Sequence, residues 1–182
     1  MLPVTTIEVT RGVDFETLWV PDEEARDDGF TDNCEYEPIG AVSWNQVVEV
    51  SELEVEVFAE LATTVTDADA FEAALAELEY ENAPYWDLGG LELGVAAAVL
   101  ALSAVGCVTC FSCRGHGGSS YPQIRLAADA RLARVVDQCT LPSGCVVESD
   151  GEGLLWVCAP SLVEMFAFAD ELIALRNEFA PH

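Results

Sequence analysis

The chain contains no lysine, and its seven basic side chains are all arginine. They face 33 aspartates and glutamates, giving a formal charge of −26 over 182 residues. That scarcity of cations excludes recognition of nucleic acid through a broad basic face, because neutralising phosphates requires clustered Lys and Arg. An anionic membrane surface repels such a chain for the same reason. No uncharged apolar run approaches the roughly 20 residues that a membrane-spanning helix needs. The most hydrophobic stretch, Leu91 to Val105, is interrupted by Glu92 and reads as a buried core helix. Met1 to Thr10 has neither a basic segment nor a long apolar run, so no secretory signal is expected and a cytoplasmic protein is. What the chain has in plenty is apolar residues. At 51% they close a substantial core and exclude wholesale disorder.

Cysteine is abundant and odd in number: Cys34, Cys107, Cys110, Cys113, Cys139, Cys145 and Cys158. Without a secretory signal these read as reduced thiols, and most of them as small buried hydrophobes.

Charge is spread unevenly. Residues 1–91 carry 23 acids and 2 Arg, net −21, whereas residues 92–182 carry 10 acids and 5 Arg, net −5. Within the acidic half, Thr5 to Thr10 alternates like a strand, and Pro21 to Pro38 reads as an irregular, exposed excursion. Val47 to Phe58 sets Val and Leu against Glu at nearly every second position, which predicts a strand with one wet, acidic face. Thr66 then opens a helix running to about Glu81, with Phe71, Ala74, Leu75 and Leu78 on its apolar stripe.

After a Pro/Gly junction the pattern is α-β-β-α-β-β-α. A helix ends at Gly106, strands cover 107–113 and 122–128, and a helix covers 130–139. A hairpin joins 145–148 to 154–159, and a last helix is capped by Ser161 with Glu164 in the capping-box position. The expected fold is α+β, with helices packed on a four-stranded antiparallel or mixed sheet. Residues 1–85 would form an acidic subdomain and 86–182 the α-β-β-α-β-β-α domain.

Chemistry concentrates in one segment, Cys107-Val-Thr-Cys110-Phe-Ser-Cys113-Arg-Gly-His116-Gly-Gly-Ser-Ser120. Cys110-x-x-Cys113-x-Gly115-x-Gly117 has the form of one zinc knuckle and resembles a single copy of the element that DnaJ-type zinc modules repeat. Cys139 and Cys145, or else His116, would complete a tetrahedral set with Cys110 and Cys113. Alternatively, Cys113 and His116 would act as nucleophile and base, with Arg114 lowering the thiol pKa and Asp87 or Asp129 as nominal orienting groups. A third reading makes Arg114, Gly115, Gly117 and Ser119 a backbone nest for an anion or nucleotide, with Arg125 and Arg131 nearby in sequence. The plain alternative to all three is core packing and a tight turn.

Trp86-Asp87-Leu88, the Leu93–Ala104 helix and Gly106-Cys107 lead on to Ser112-Cys113-Arg114-Gly115-His116. This run resembles a group of uncharacterised bacterial α/β proteins in which such a helix precedes a strand ending in Ser-Cys-x-Gly. A similar element occurs in the third wybutosine-synthesis protein, a tRNA-modifying methyltransferase. The resemblance spans about 30 residues and implies a fold element with a ligand-facing loop. It departs at His116, and a chain of −26 is a poor match for tRNA.

The acidic half points to a binding role. Glu49, Glu52, Glu54 and Glu56, continued by Glu60 and joined by Asp27 and Asp28, would steer and dock a basic protein, as acidic immunity or inhibitor proteins do. The clustered acids of 22–32 lack the ligand order of a calcium loop. The expected function is therefore a non-enzymatic acidic protein that docks a basic partner. The alternative is a small enzyme or ligand-binding domain that uses the Cys113/His116 loop, with nucleotide or zinc as its ligand.

Overall fold

The computed structural model describes residues 12–22, 39, 42–82, 86, 88–116 and 120–179. The segments expected as a strand at 5–10 and as an irregular excursion at 21–38 lie wholly or largely outside these residues, as do Cys34, Asp27, Asp28, Gly117 and Ser119.

The elements in order are α1 (Trp44–Thr64), α2 (Ala68–Asn82), α3 (Ala96–Ala104), β1 (Val108–Cys113), β2 (Gln123–Ala127), α4 (Ala130–Ser143), β3 (Val146–Ser149), β4 (Leu155–Cys158) and α5 (Leu162–Ala174), followed by a 3-10 turn at Arg176–Phe179. The four strands form one antiparallel sheet in the order β1-β2-β4-β3. The fold is α+β, and from residue 96 onward the element order is the one the sequence pattern predicts.

One element is corrected. Val47 to Phe58 is not a strand but part of the 21-residue helix α1. Its buried positions are Val47, Val50, Glu54, Val57, Phe58 and Leu61, spaced as one face of a helix. Ser43 caps its start by accepting from the Gln46 amide at 3.2 Å. The cap of α2 also shifts by one residue: Asp67, not Thr66, accepts from the Asp69 and Ala70 amides at 2.9 and 3.0 Å.

Helix α3 sits at the centre. Seven of its nine residues, Ala96 to Leu102, are buried. It packs against α1, α5 and β1. Its start is five residues later than expected, because Leu93, Gly94 and Val95 form a turn first. Gly94, at φ +99, brings the chain against Phe58 and Leu162 so closely that a Cβ there would lie 2.8 Å from Leu162 Cδ2.

The sheet turns one face inward. Ile124, Leu126, Val147, Leu155 and Val157 join the core from three strands, and α4 and α5 pack on each other beside them. The other face carries the row Phe111–Arg125–Trp156–Glu148, paired across all four strands. There Phe111 meets Trp156 edge-on at 5.6 Å, and the Arg125 guanidinium lies over the Trp156 ring while pairing with Asp150 and Glu152.

The buried apolar cluster crosses the expected boundary at residue 85. Val47, Val50, Phe58, Phe71 and Leu75 share it with α3, α5 and the sheet. No helix among the described residues is long and apolar enough to cross a membrane.

Candidate functional site

Helix α2 carries acids on two sides, and each side builds a site. Neither α1 nor α2 contains a single cation, while each contains five acids. Three of those ten carboxylates are used inside the molecule. Glu54 is 1% exposed and accepts from the backbone amides of Gly94, Ala96 and Ala97 at 2.7, 2.9 and 3.3 Å. It supplies from a neighbouring helix the cap that Val95 cannot give α3. Burial raises its pKa to about 7, against the lowering effect of those three amides. Glu54 is therefore no part of a docking face, contrary to the sequence reading.

Glu72 and Glu79, two helical turns apart, face the loop after β1. Arg114 points back at them, with its side chain 4% exposed. Its Nη1 donates to Glu79 Oε1 at 2.6 Å and its Nε to Glu72 Oε2 at 3.3 Å. Its backbone amide donates to Glu92 Oε2 at 2.9 Å. Glu79 also accepts from the Leu93 amide at 2.7 Å. His116 lies half-exposed outside this cage, with Nδ1 3.4 Å from Glu72 Oε2 and Nε2 3.0 Å from Glu92 Oε1. One ligand atom each from Glu92, Cys113 and His116 lies within 4.8 Å of the other two.

This arrangement corrects three expectations. Arg114 and Gly115 do not form an anion nest: the guanidinium is buried and neutralised by carboxylates, and Glu72, Glu79 and Glu92 would repel a phosphate. Nor does Arg114 activate Cys113. Burial raises the thiol pKa, Glu92 and Glu72 add to that, and the amide of Gly115, donating at 3.3 Å, and the Arg114 charge oppose it only in part. The zinc set of Cys110, Cys113, Cys139 and Cys145 is also not assembled. Cys110 donates to the Arg125 carbonyl, Cys145 donates to the Glu164 carbonyl, and Cys139 is buried among the core residues of α4. Of these four, only Cys113 belongs to the Glu/Cys/His group.

Gly115, at φ +82, is required where it stands. A Cβ there would lie 2.7 Å from the Ser120 carbonyl oxygen, and the Ser120 hydroxyl accepts from the His116 amide at 2.8 Å. Sequence reasoning found Cys113, Arg114 and His116 but missed Glu72, Glu79 and Glu92. The available signal was Arg114 itself, an Arg with no other between Arg26 and Arg125, which needed a carboxylate partner.

On its other side α2 forms a groove with α1 of about 530 Å³. Leu53, Val57, Leu61, Ala74, Leu78 and Trp86 give apolar walls, and Glu56, Glu60, Glu77 and Glu81 line it as well. These four glutamates are exposed, as are Glu49, Glu52 and Asp69 on the same two helices. Glu49, Glu52 and Glu56 of the sequence reading thus stand in solvent, but on a helix. Compared with protein-family models, curated proteins and solved structures, the chain matches none.

Proposed function

We propose that this chain is an acidic binding protein that docks a basic protein partner, with the α1–α2 groove receiving an apolar segment of that partner flanked by Arg or Lys. The observation that carries the reading is an apolar groove edged by carboxylates, with no cation among its described lining residues. Four glutamates border an apolar trough formed by two helices that contain no cation. Such a field accelerates encounter with a basic protein, and the trough supplies the apolar contact that long-range attraction lacks. The class this suggests is that of acidic immunity or inhibitor proteins acting in the cytoplasm.

The test compares capture of basic proteins by the wild type and by a quadruple variant, Glu56→Gln, Glu60→Gln, Glu77→Gln and Glu81→Gln. These four side chains are exposed, so the variant keeps the fold. A single basic partner, held by the wild type, weakened by salt and lost by the variant, is the expected result. A partner that ignores both salt and the substitutions overturns the reading.

A further inference from the structure

We propose that Glu92, Cys113 and His116 bind one zinc ion, with Glu72 as the carboxylate that orients His116. The argument is independent of the docking groove, which lies on the other side of α2.

Two parts of the chain converge here: the turn before α3 brings Glu92, and the end of β1 brings Cys113 and His116. Their donor atoms, one carboxylate oxygen, one sulfur and one imidazole nitrogen, lie within 4.8 Å of one another. Zinc bonds of about 2.0–2.3 Å fit such a triad after a small contraction. Each donor is already held from behind. Cys113 Sγ accepts from the Gly115 amide at 3.3 Å. Glu92 Oε2 accepts from the Arg114 amide at 2.9 Å, which leaves Oε1 for an ion.

His116 gives the sharpest indication. Its Nδ1 faces Glu72 Oε2 at 3.4 Å and its Nε2 faces Glu92 Oε1 at 3.0 Å. A neutral imidazole carries one N–H. With the N–H of a neutral ring on Nδ1 toward Glu72, Nε2 presents its lone pair beside Glu92 Oε1 and the Cys113 sulfur, and a zinc ion can bond this nitrogen, oxygen and sulfur together. A carboxylate behind a metal-bound histidine is the usual supporting arrangement. The charge count agrees. Glu72, Glu79 and Glu92 surround Arg114, leaving the cluster two negative charges in excess. The donor set selects the metal: a thiol suits zinc and disfavours magnesium and calcium, which take oxygen ligands. Binding forms a Zn–S bond and releases the Cys113 thiol proton to solvent. Three protein donors leave the fourth tetrahedral position to water, and the half-exposed His116 gives the ion a route in.

The experiment titrates the metal-free full chain with Zn²⁺ and with Co²⁺. The expected result is one ion per chain, a raised melting temperature, and a sulfur-to-cobalt absorption band. Cys113→Ser removes the band. Glu72→Gln, which keeps the helix and supplies no ligand, weakens zinc binding about 10- to 100-fold. A variant with Cys34, Cys110, Cys139 and Cys145 all changed to Ser reads site identity by the same band, and each change made singly covers the case in which the combination fails to fold. Retention of the band there supports the proposal. No bound ion in the folded wild type at micromolar zinc overturns it, and so does a band that survives Cys113→Ser.

Discussion

The carboxylate of Glu54 in α1 accepts from the backbone amide of Gly94 at 2.7 Å, across forty positions of sequence. The same oxygen accepts from Ala96 at 2.9 Å. A side chain that composition assigns to the surface thus starts the central helix.

Removing it should be costly. Glu54→Ala leaves the buried amides of Gly94, Ala96 and Ala97 without partners, an expected loss of about 3 kcal/mol or more at 1–3 kcal/mol for each unsatisfied group. Glu54→Gln keeps an acceptor oxygen and should lose less. Urea unfolding of the two variants against the wild type measures the difference.

The same residue ties stability to pH. Its folded pKa of about 7 lies above the ordinary value of 4.5, so between these limits the folded chain holds a proton that the unfolded chain releases. Stability therefore falls as pH rises from about 4.5 to 7, by on the order of 3 kcal/mol from this group. The Glu54 part is isolated by subtracting the pH profile of Glu54→Gln, which lacks it. Parallel profiles for the two proteins would contradict the assignment.

Among the described residues, Arg114 is the arginine that Glu72, Glu79 and Glu92 surround. Arg114→Met should cost about 1.5–3 kcal/mol, because it removes the charged hydrogen bonds to Glu72 and Glu79 and leaves those part-exposed carboxylates beside Glu92 without that counter-charge. Raising the salt concentration, which screens the repulsion among those carboxylates, should recover part of the loss. Thermal melts at two ionic strengths test both statements.

Two glycines separate conformational strain from steric exclusion. Gly89 and Gly115 both have positive φ, but a Cβ at Gly89 meets nothing within 4 Å. Gly89→Ala should cost about 1 kcal/mol, the ordinary penalty of that backbone region. Gly115→Ala should cost clearly more, since its Cβ would sit 2.7 Å from a backbone oxygen. Equal losses in chemical denaturation would refute the crowding argument.

Thiol reactivity is expected to be low. Burial pushes Cys110 up to about 11 and Cys139, Cys145 and Cys158 up to about 12, and it raises Cys113 as well. In a Cys34→Ser background, alkylation at neutral pH should be slower at every remaining site than for a free model thiol. Fast labelling of Cys113 would restore the nucleophile reading.

The half of the chain after residue 96 was legible because its signals are local: Gly106 and Gly144 end helices at positive φ, and Asp129 and Ser161 cap them. In the last cap, Ser161 Oγ accepts from the Val163 amide and bonds to Glu164, so the expected pair meets through side chains. Helix α1 was illegible for a specific reason. Its buried slots have helical spacing, but one of them is filled by Glu54, a residue read as polar, and Val55, half-exposed, fills a surface slot. With Glu54 counted as polar, Val-Glu alternation imitates a strand, and the β-branched residues strengthen the imitation. Tertiary contact with α3 and α5 decided the outcome. The loop residues of the site could be read from their clustering. Their carboxylate partners, 22 to 44 positions away, required the fold.

Because the amides of Gly94, Ala96 and Ala97 are satisfied by Glu54 of α1, the central helix has no complete beginning until α1 packs on it. A fragment starting at residue 86 would inherit all four strands yet leave three amides and the apolar flank of α3 facing water. Among the described residues, the helices of the acidic half and the sheet of the near-neutral half therefore share one core, and that core loses part of its wall if the chain is cut between them.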